Sequence, residues 1–225
     1  MIPKQKQGSN RDYVYDTVKK NIISLKLEPG TLISEKEIAD QLQVSRTPTR
    51  EAFIKLAEEG LIMIYPQKGS YVSLIDIDQV EEARFVRITL EIAVLKIACE
   101  TFTDQDIAEL EVLLAEQKIY SDRNNYEKMH ELDEKFHETI FFKCGKQRTW
   151  SVIQQMQVHY KRFRNLLLAV YFDWEMIISQ HARIVESIRR RDKEMAEREL
   201  RQHVKTRFET DELMRKYPNY FLKKD

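Results

Sequence analysis

Asp133 and His137 lie four residues apart in NYEKMHELDEKFHETIFFKC, on one helical stripe with Met129, Phe136, Ile140 and Cys144. His181 sits among Ile177, Ile178, Ile184, Val185 and Ile188, and His203 among Ala196, Leu200, Val204 and Phe208. One carboxylate and three imidazoles therefore project from the apolar faces of three helices. A carboxylate buried without partners is costly, so these groups meet one another or a cation. Three His and one Asp suit Zn²⁺ first, with Ni²⁺ or Mn²⁺ as alternatives, and leave positions for water or a ligand. Each histidine taken singly reads more readily as a satisfied core residue. Their joint placement favours the ion.

A second constellation is cationic. Ser45-Arg46-Thr47-Pro48-Thr49-Arg50 opens a helix, with Pro48 in the first turn, where its missing N–H costs nothing. Arg46 and Arg50 are four apart and share a face, so both can offer guanidinium forks to guanine or phosphate. Hydroxyls of Ser45 and Thr47, beside the exposed N–H groups of a helix start, suit phosphate oxygens. Lys68, next to Gly69 in a turn, can reach an adjacent groove. The plainer alternative makes Ser45 only a cap and the arginines a solvated face. Arg87 follows Val80 and Ala83 and precedes Leu90 and Val94 on one stripe. A core-facing arginine wants an anion: either a bidentate carboxylate guest or an internal partner such as Glu91 or Glu131. Arg84, Tyr160 and Arg164 are weaker candidates for an effector pocket.

The elements that must carry these groups are legible from period and punctuation. Val14, Val18, Ile22 and Leu25 recur at helical spacing. LEPG breaks that helix, and Ser34 with Glu37 reads as a capping box opening SEKEIADQLQ. The third helix runs from Ser45 to Gly60, and LIMIYPQKGSYVSLI reads as a two-stranded hairpin. Three helices and a hairpin form a winged helix-turn-helix whose second motif helix enters the major groove. After Ile75 the pattern predicts six helices, about 76–100, 103–122, 125–144, 146–171, 173–191 and 193–216, packed as a bundle. The fold class is mainly α, with residues 1–75 as the DNA-binding domain, residues 76–225 as the helical effector and metal domain, and a linker near Leu74–Asp78.

Residues 22–72 resemble the N-terminal domain of the GntR family of regulators, through the P-G before the second helix, S-E-K-E, V-S-R-T-P-x-R-E-A, L-x-x-E-G-L and the K-G-x-x-V wing. The resemblance implies DNA contacts from Lys36, Arg46, Thr47, Arg50, Lys68 and Gly69. Gln43 stands where glycine is usual, and Thr49 where valine is common. Residues 76–216 resemble the FCD ligand-binding domain of FadR-type members, through Arg87 to Glu91, Asp133 to His137, His181 to Ile188, and Asp192 to His203. That resemblance implies Asp133, His137, His181 and His203 as ligands of a divalent metal, with a small carboxylate bound beside it. Gln180 replaces a usual glutamate. The compact branch of the family fits the six-helix expectation.

Composition bounds the rest. Hydrophobic residues make up 42% and charged residues 33%, enough to build a core and unlike a disordered tail. Residues 1–75 hold 11 Lys/Arg against 9 Asp/Glu, an excess too small to argue DNA binding by itself. Cys99 and Cys144 form no CxxC pair and read as small buried hydrophobes. No apolar run approaches the about 18 residues of a membrane span, and MIPKQKQGSN lacks a signal-peptide core, so a soluble cytoplasmic protein is expected. The expected function is a ligand-responsive transcription regulator, a repressor, binding a pseudo-palindromic double-stranded operator as a homodimer and having no enzymatic activity. The alternatives are a metal-free pocket that takes an acyl-CoA, and a helical metalloenzyme with an accessory N-terminal domain. The sequence has no H-E-x-x-H helix to support that last reading.

Overall fold

A computed structural model describes residues 9–171, 174–204 and 210–223, without the side chains of Tyr126 and Tyr171. Residues 1–8, residue 173 at the start of the expected fifth helix of the bundle, and residues 205–209 within its last helix lie outside the described residues. Two compact units result: residues up to 77 with 158–166 and 210 onward, and residues 78–157 with 167–209.

In the first unit, α1 (Asn10–Ile23) starts where Ser9 Oγ accepts the Asp12 N–H, and it buries Val14, Val18 and Ile22 of the expected stripe with Tyr15 beside them; the helix ends before Leu25, which has φ 61°. After β1 (Leu32–Ile33), Ser34 caps α2 (Glu35–Leu42) by accepting the Glu37 N–H. Gln43 closes α2 in the left-handed region at φ 56°, ψ 43°. A side chain there is strained, and glycine would adopt this conformation at no such cost. Then comes α3 (Arg46–Glu58), whose inner face carries Thr49, Ala52, Phe53 and Leu56. Thr49 Oγ1 donates to the Ser45 carbonyl at 3.0 Å, so the hydroxyl that replaces a valine is satisfied locally.

The wing is β2 (Ile62–Tyr65) and β3 (Gly69–Val72), antiparallel, with Met63 opposite Tyr71. The expected hairpin gains a third strand: β1 pairs with β3, Leu32 opposite Tyr71, in the order β1-β3-β2. Gly69 is required at the wing tip, since it has φ +107° and an added Cβ would stand 2.7 Å from Leu32 Cδ1. The core of this unit gathers Val14, Val18, Ile22, Ile33, Phe53, Leu56, Leu61, Ile62, Val72 and Val158. Each such side chain contributes about 1.5–3 kcal/mol by leaving water.

Val158 belongs to α8 (Val158–Tyr171), whose first residues, 158–166, pack in this unit. Three of its polar groups hold backbone there. His159 Nδ1 accepts the Asp76 N–H at 3.0 Å, and Asn165 Nδ2 donates to the Ile23 carbonyl at 2.7 Å. The fully buried Arg162 donates to Ser73 Oγ at 3.0 Å and also to the Ser73 carbonyl. Further along the chain, α11 (Thr210–Lys216) is followed by a parallel bridge between Ile75 and Phe221. Ile75 N–H donates to the Tyr220 carbonyl at 2.8 Å, and Leu222 N–H to the Ile75 carbonyl at 2.9 Å.

The second unit is all helical: α4 (Ile77–Thr101), α5 (Asp104–Asp122), α6 (Tyr126–Lys143), α7 (Gln147–Met156), the end of α8, α9 (Trp174–Arg189) and α10 (Lys193–Val204). Thr103 and Asp106 form a reciprocal capping box at the start of α5, and Asn125 caps α6. The helix expected over 146–171 is two helices. Gln157, fully buried with φ −86° and ψ 4°, separates them with neither glycine nor proline. Of the helix expected over 193–216, the described residues form α10 (Lys193–Val204) and α11 (Thr210–Lys216). The core packs Ile92, Leu95, Phe102, Leu110, Phe136, Ile140, Phe141, Trp150, Ile184, Ile188 and Leu200, among others. Among the described residues no helix is long and apolar enough to cross a membrane.

Candidate functional site

Two sites take shape, one in each unit. In the first, burying Thr49, Ala52, Phe53 and Leu56 turns the opposite face of α3 outward. Arg46, Thr47 and Arg50 are exposed there, as are Ser45 at the cap position, Lys36 on α2, and Lys68 and Gly69 at the wing tip. Ser45 makes no side-chain capping bond, which leaves its hydroxyl available to an outside acceptor. Among the described residues no carboxylate pairs with Lys36, Arg46, Arg50 or Lys68, so these cations need not break an ion pair before meeting phosphate.

In the second unit α6 brings Asp133 and His137 to one side, one turn apart, while α9 brings His181 and α10 His203. Their exposures are 1%, 2%, 0% and 5%, so all four ionisable groups have left water. One ligand atom from each lies within 4.8 Å of the others. Phe136 stacks on His181 at 4.2 Å between ring centroids and walls one side.

The outer nitrogens decide what the inner ones can do. His137 Nδ1 lies 3.0 Å from Glu91 Oε2, and a carboxylate there requires the proton on Nδ1. His181 Nδ1 faces Gln117 Oε1 at 2.9 Å. Gln117 Nε2 donates to the Leu132 carbonyl at 3.2 Å, which fixes the amide with its oxygen toward the ring. His203 Nδ1 faces Gln180 Oε1 at 2.9 Å. Each Nε2 is then a lone pair. His137 Nε2 and His203 Nε2 stand 3.2 Å apart, and His181 Nε2 is 3.5 Å from Asp133 Oδ1. Two lone pairs facing at that distance call for a proton or a cation between them. Three imidazole nitrogens and a carboxylate fit a divalent metal of the zinc, nickel or manganese kind.

Arg87, 1% exposed, donates from Nε to Glu91 Oε1 at 2.6 Å and so reaches the cluster through Glu91. Burial pushes the Glu91 carboxyl up, but Arg87 and His137 outweigh it and hold it at about 2. Arg84 pairs with Glu81 at 2.7 Å, while Tyr160 and Arg164 stand on the part of α8 that packs in the first unit. A cavity of about 10 Å³, room for one water, lies beside His137 and Glu91 among Leu95, Ile140, Phe141, Ile184 and Leu200. Gln117 was missed in the sequence, although Ile107, Leu110, Leu114 and Gln117 follow one helical stripe. A polar residue on such a stripe is the same signal that drew attention to the histidines.

A winged helix presenting exposed cations, on one chain with a helical unit around a ligand-type cluster, is the build of a transcription regulator. The chain matches the FCD domain over residues 82–206 and "Bacterial regulatory proteins, gntR family" over residues 10–72. It belongs to the GntR family of transcriptional regulators, with an FCD domain following the helix-turn-helix. The HTH-type transcriptional repressor RspR of Escherichia coli K12 is 36% identical over 191 residues, 85% of this chain and 84% of that one. The Nta operon transcriptional regulator of Aminobacter aminovorans is 33% identical over 153 residues, 68% of this chain and 70% of that one. The solved structure of E. coli McbR/YncC covers 94% of this chain and 100% of its own, with a TM-score of 0.77 at 22% identity, a likeness of fold. The family regulates transcription and is not one of enzymes, which removes the metalloenzyme alternative.

Proposed function

We propose that the protein is a metal-dependent repressor whose helical unit binds a divalent ion through Asp133, His137, His181 and His203, and a small carboxylate beside it. The observation that carries this reading is the placement of each Nδ1 against a side-chain oxygen, of Glu91, Gln117 and Gln180. Each Nδ1 has an acceptor, so each Nε2 lone pair is turned to the same point as Asp133. Zn²⁺ fits the donor set best, with Ni²⁺ and Mn²⁺ as the other candidates. When bound, the ion supplies positive charge on which a carboxylate can settle. The chain's own residues orient the donors, and Phe136 and the surrounding apolar side chains exclude water. A long acyl chain would find a core already filled by Ile140, Phe141, Ile184 and Leu200, which disfavours the acyl-CoA alternative.

On the DNA side, a dimer sets two copies of Lys36, Ser45, Arg46, Thr47, Arg50, Lys68 and Gly69 on a pseudo-palindromic operator. The effector shifts operator affinity only by its own differential affinity for the two states of the protein. The name of the RspR relative supports repression. Because ligands from three helices meet at one point, metal binding energy acts as folding energy for the helical unit. Elemental analysis of full-length protein purified without a histidine tag is expected to find a divalent ion, and chelation to lower the melting temperature. Protein that takes up no zinc, nickel or manganese, with a melting curve unmoved by chelator, would leave the cluster as a hydrogen-bonded polar core.

A further inference from the structure

We propose that the outer face of α5 is where two copies of the chain pair, with their α5 helices antiparallel. The inference rests on the dimer reading above and adds the surface that makes it. The inner face of α5 turns Ile107, Leu110, Leu114 and Gln117 toward the core. Half a turn of the helix away, Ala108, Val112, Ala115 and Ile119 follow at intervals of four, three and four, and all four are exposed. Val112 is 59% exposed and Ile119 48%. At 3.6 residues per turn these side chains share a stripe about 60° wide. That is the spacing of an apolar seam between paired helices. An isolated exposed hydrophobe needs no partner, and Phe85 on α4, 69% exposed, is of that kind, with the exposed Glu81, Glu82 and Thr89 around it. A row of four in phase, on a helix whose other side already fills the core, is a packing face still in water.

The order of sizes along the seam selects the partner. Small and large alternate: Ala108, Val112, Ala115, Ile119. In a parallel pair each residue would meet its own copy, so the alanine layers would gape while the isoleucine layer held the helices apart. About a two-fold axis with the helices antiparallel, Ala108 meets Ile119 of the partner subunit, and Val112 meets the partner's Ala115. Every large side chain then faces a small one, and all four layers are filled alike. A seam that complements its own reverse fits a second copy of this chain, through the same patch on both subunits. Charge agrees on one flank, where Glu111 comes opposite the partner's Lys118, an attraction that the axis makes twice. On the other flank Glu109 comes opposite the partner's Glu116, and Lys143, 2.8 Å from Glu109, offsets that repulsion.

The test uses the full-length chain, diluted through the micromolar range while light scattering reads its mass. Replacing both large residues, Val112→Arg with Ile119→Arg, is expected to raise the dimer dissociation constant by about 100-fold or more, with the wild-type circular dichroism kept because both positions are exposed. Ala115→Ile, which sets a large residue against the partner's Val112, is expected to weaken the dimer by about tenfold. Direction is read separately, by mixing Val112→Cys protein with Ala115→Cys protein and oxidising with diamide beside a wild-type control. The mixture is expected to form a disulfide-linked dimer faster than either variant alone. Faster linkage of Val112→Cys to itself would overturn the antiparallel register. A wild-type dimer that survives the two arginines would overturn the proposal alone, moving the dimer contact elsewhere and leaving the seam to a helix of another protein. A wild-type chain that stays monomeric would overturn it together with the dimer reading. Should the arginine variant fail to fold, the cysteine pair decides.

Discussion

Arg46 is the residue whose removal tests the proposed DNA-contacting start of α3 most directly. It is exposed, outside any ion pair among the described residues, and one turn from Arg50. Arg46→Ala is expected to weaken binding to a wild-type-selected DNA site by about 1–3 kcal/mol if the fork reads a base. A gel-shift titration at fixed salt measures it, and unchanged affinity would take Arg46 out of the interface. His159 gives a different residue-scale prediction. Burial, with Arg162 nearby, pulls its pKa down to about 4, so it is neutral when folded and Nδ1 can accept the Asp76 N–H. A depressed folded pKa gives stability that is complete above the unfolded value of about 6.5 and is lost as pH falls from there toward about 4. The loss reaches up to about 3 kcal/mol. His159→Gln keeps an acceptor and should flatten that acid limb in urea melts taken between pH 7 and 4. An unchanged limb would place the acid sensitivity elsewhere.

At the scale of elements, what the sequence disclosed was whatever is written locally. Helix starts at Ser34 and Thr103 use capping side chains, and the structure shows each accepting a backbone N–H, while the cap of α6 is Asn125, one residue beyond the break expected at Asn124. The Asp/His cluster was legible for the same reason: helical phase places Asp133, His137, His181 and His203 on apolar stripes without knowledge of what faces them. Strand β1 was not legible, because two residues become a strand only by pairing with Tyr71 and Ser70, far along the chain. The break at Gln157 carries no glycine or proline and interrupts an unbroken helical pattern. Gln43 is the element-scale weak point. Gln43→Gly removes a side chain from the left-handed region and should stabilise the turn between α2 and α3 by about 0.5–1 kcal/mol. A raised urea midpoint is the expected result; no change would mean that Gln43 makes a compensating contact.

For the whole molecule, one winged helix offers few contacts, so specific binding calls for two. Light scattering should report twice the 26.9 kDa chain mass for the free protein, and that plus one DNA duplex for the complex; one chain in both states would contradict the operator symmetry proposed here. The bridge between Ile75 and Phe221 sets a clock on synthesis. At about 5–20 residues per second, a ribosome that has just made Ile75 needs roughly 7–30 seconds more to reach Phe221. Throughout that interval the Ile75 amide and carbonyl lack the partners the folded chain gives them, and until α8 emerges so do the Ser73 carbonyl and the Asp76 amide. The half of the protein that meets DNA is begun first and closed last.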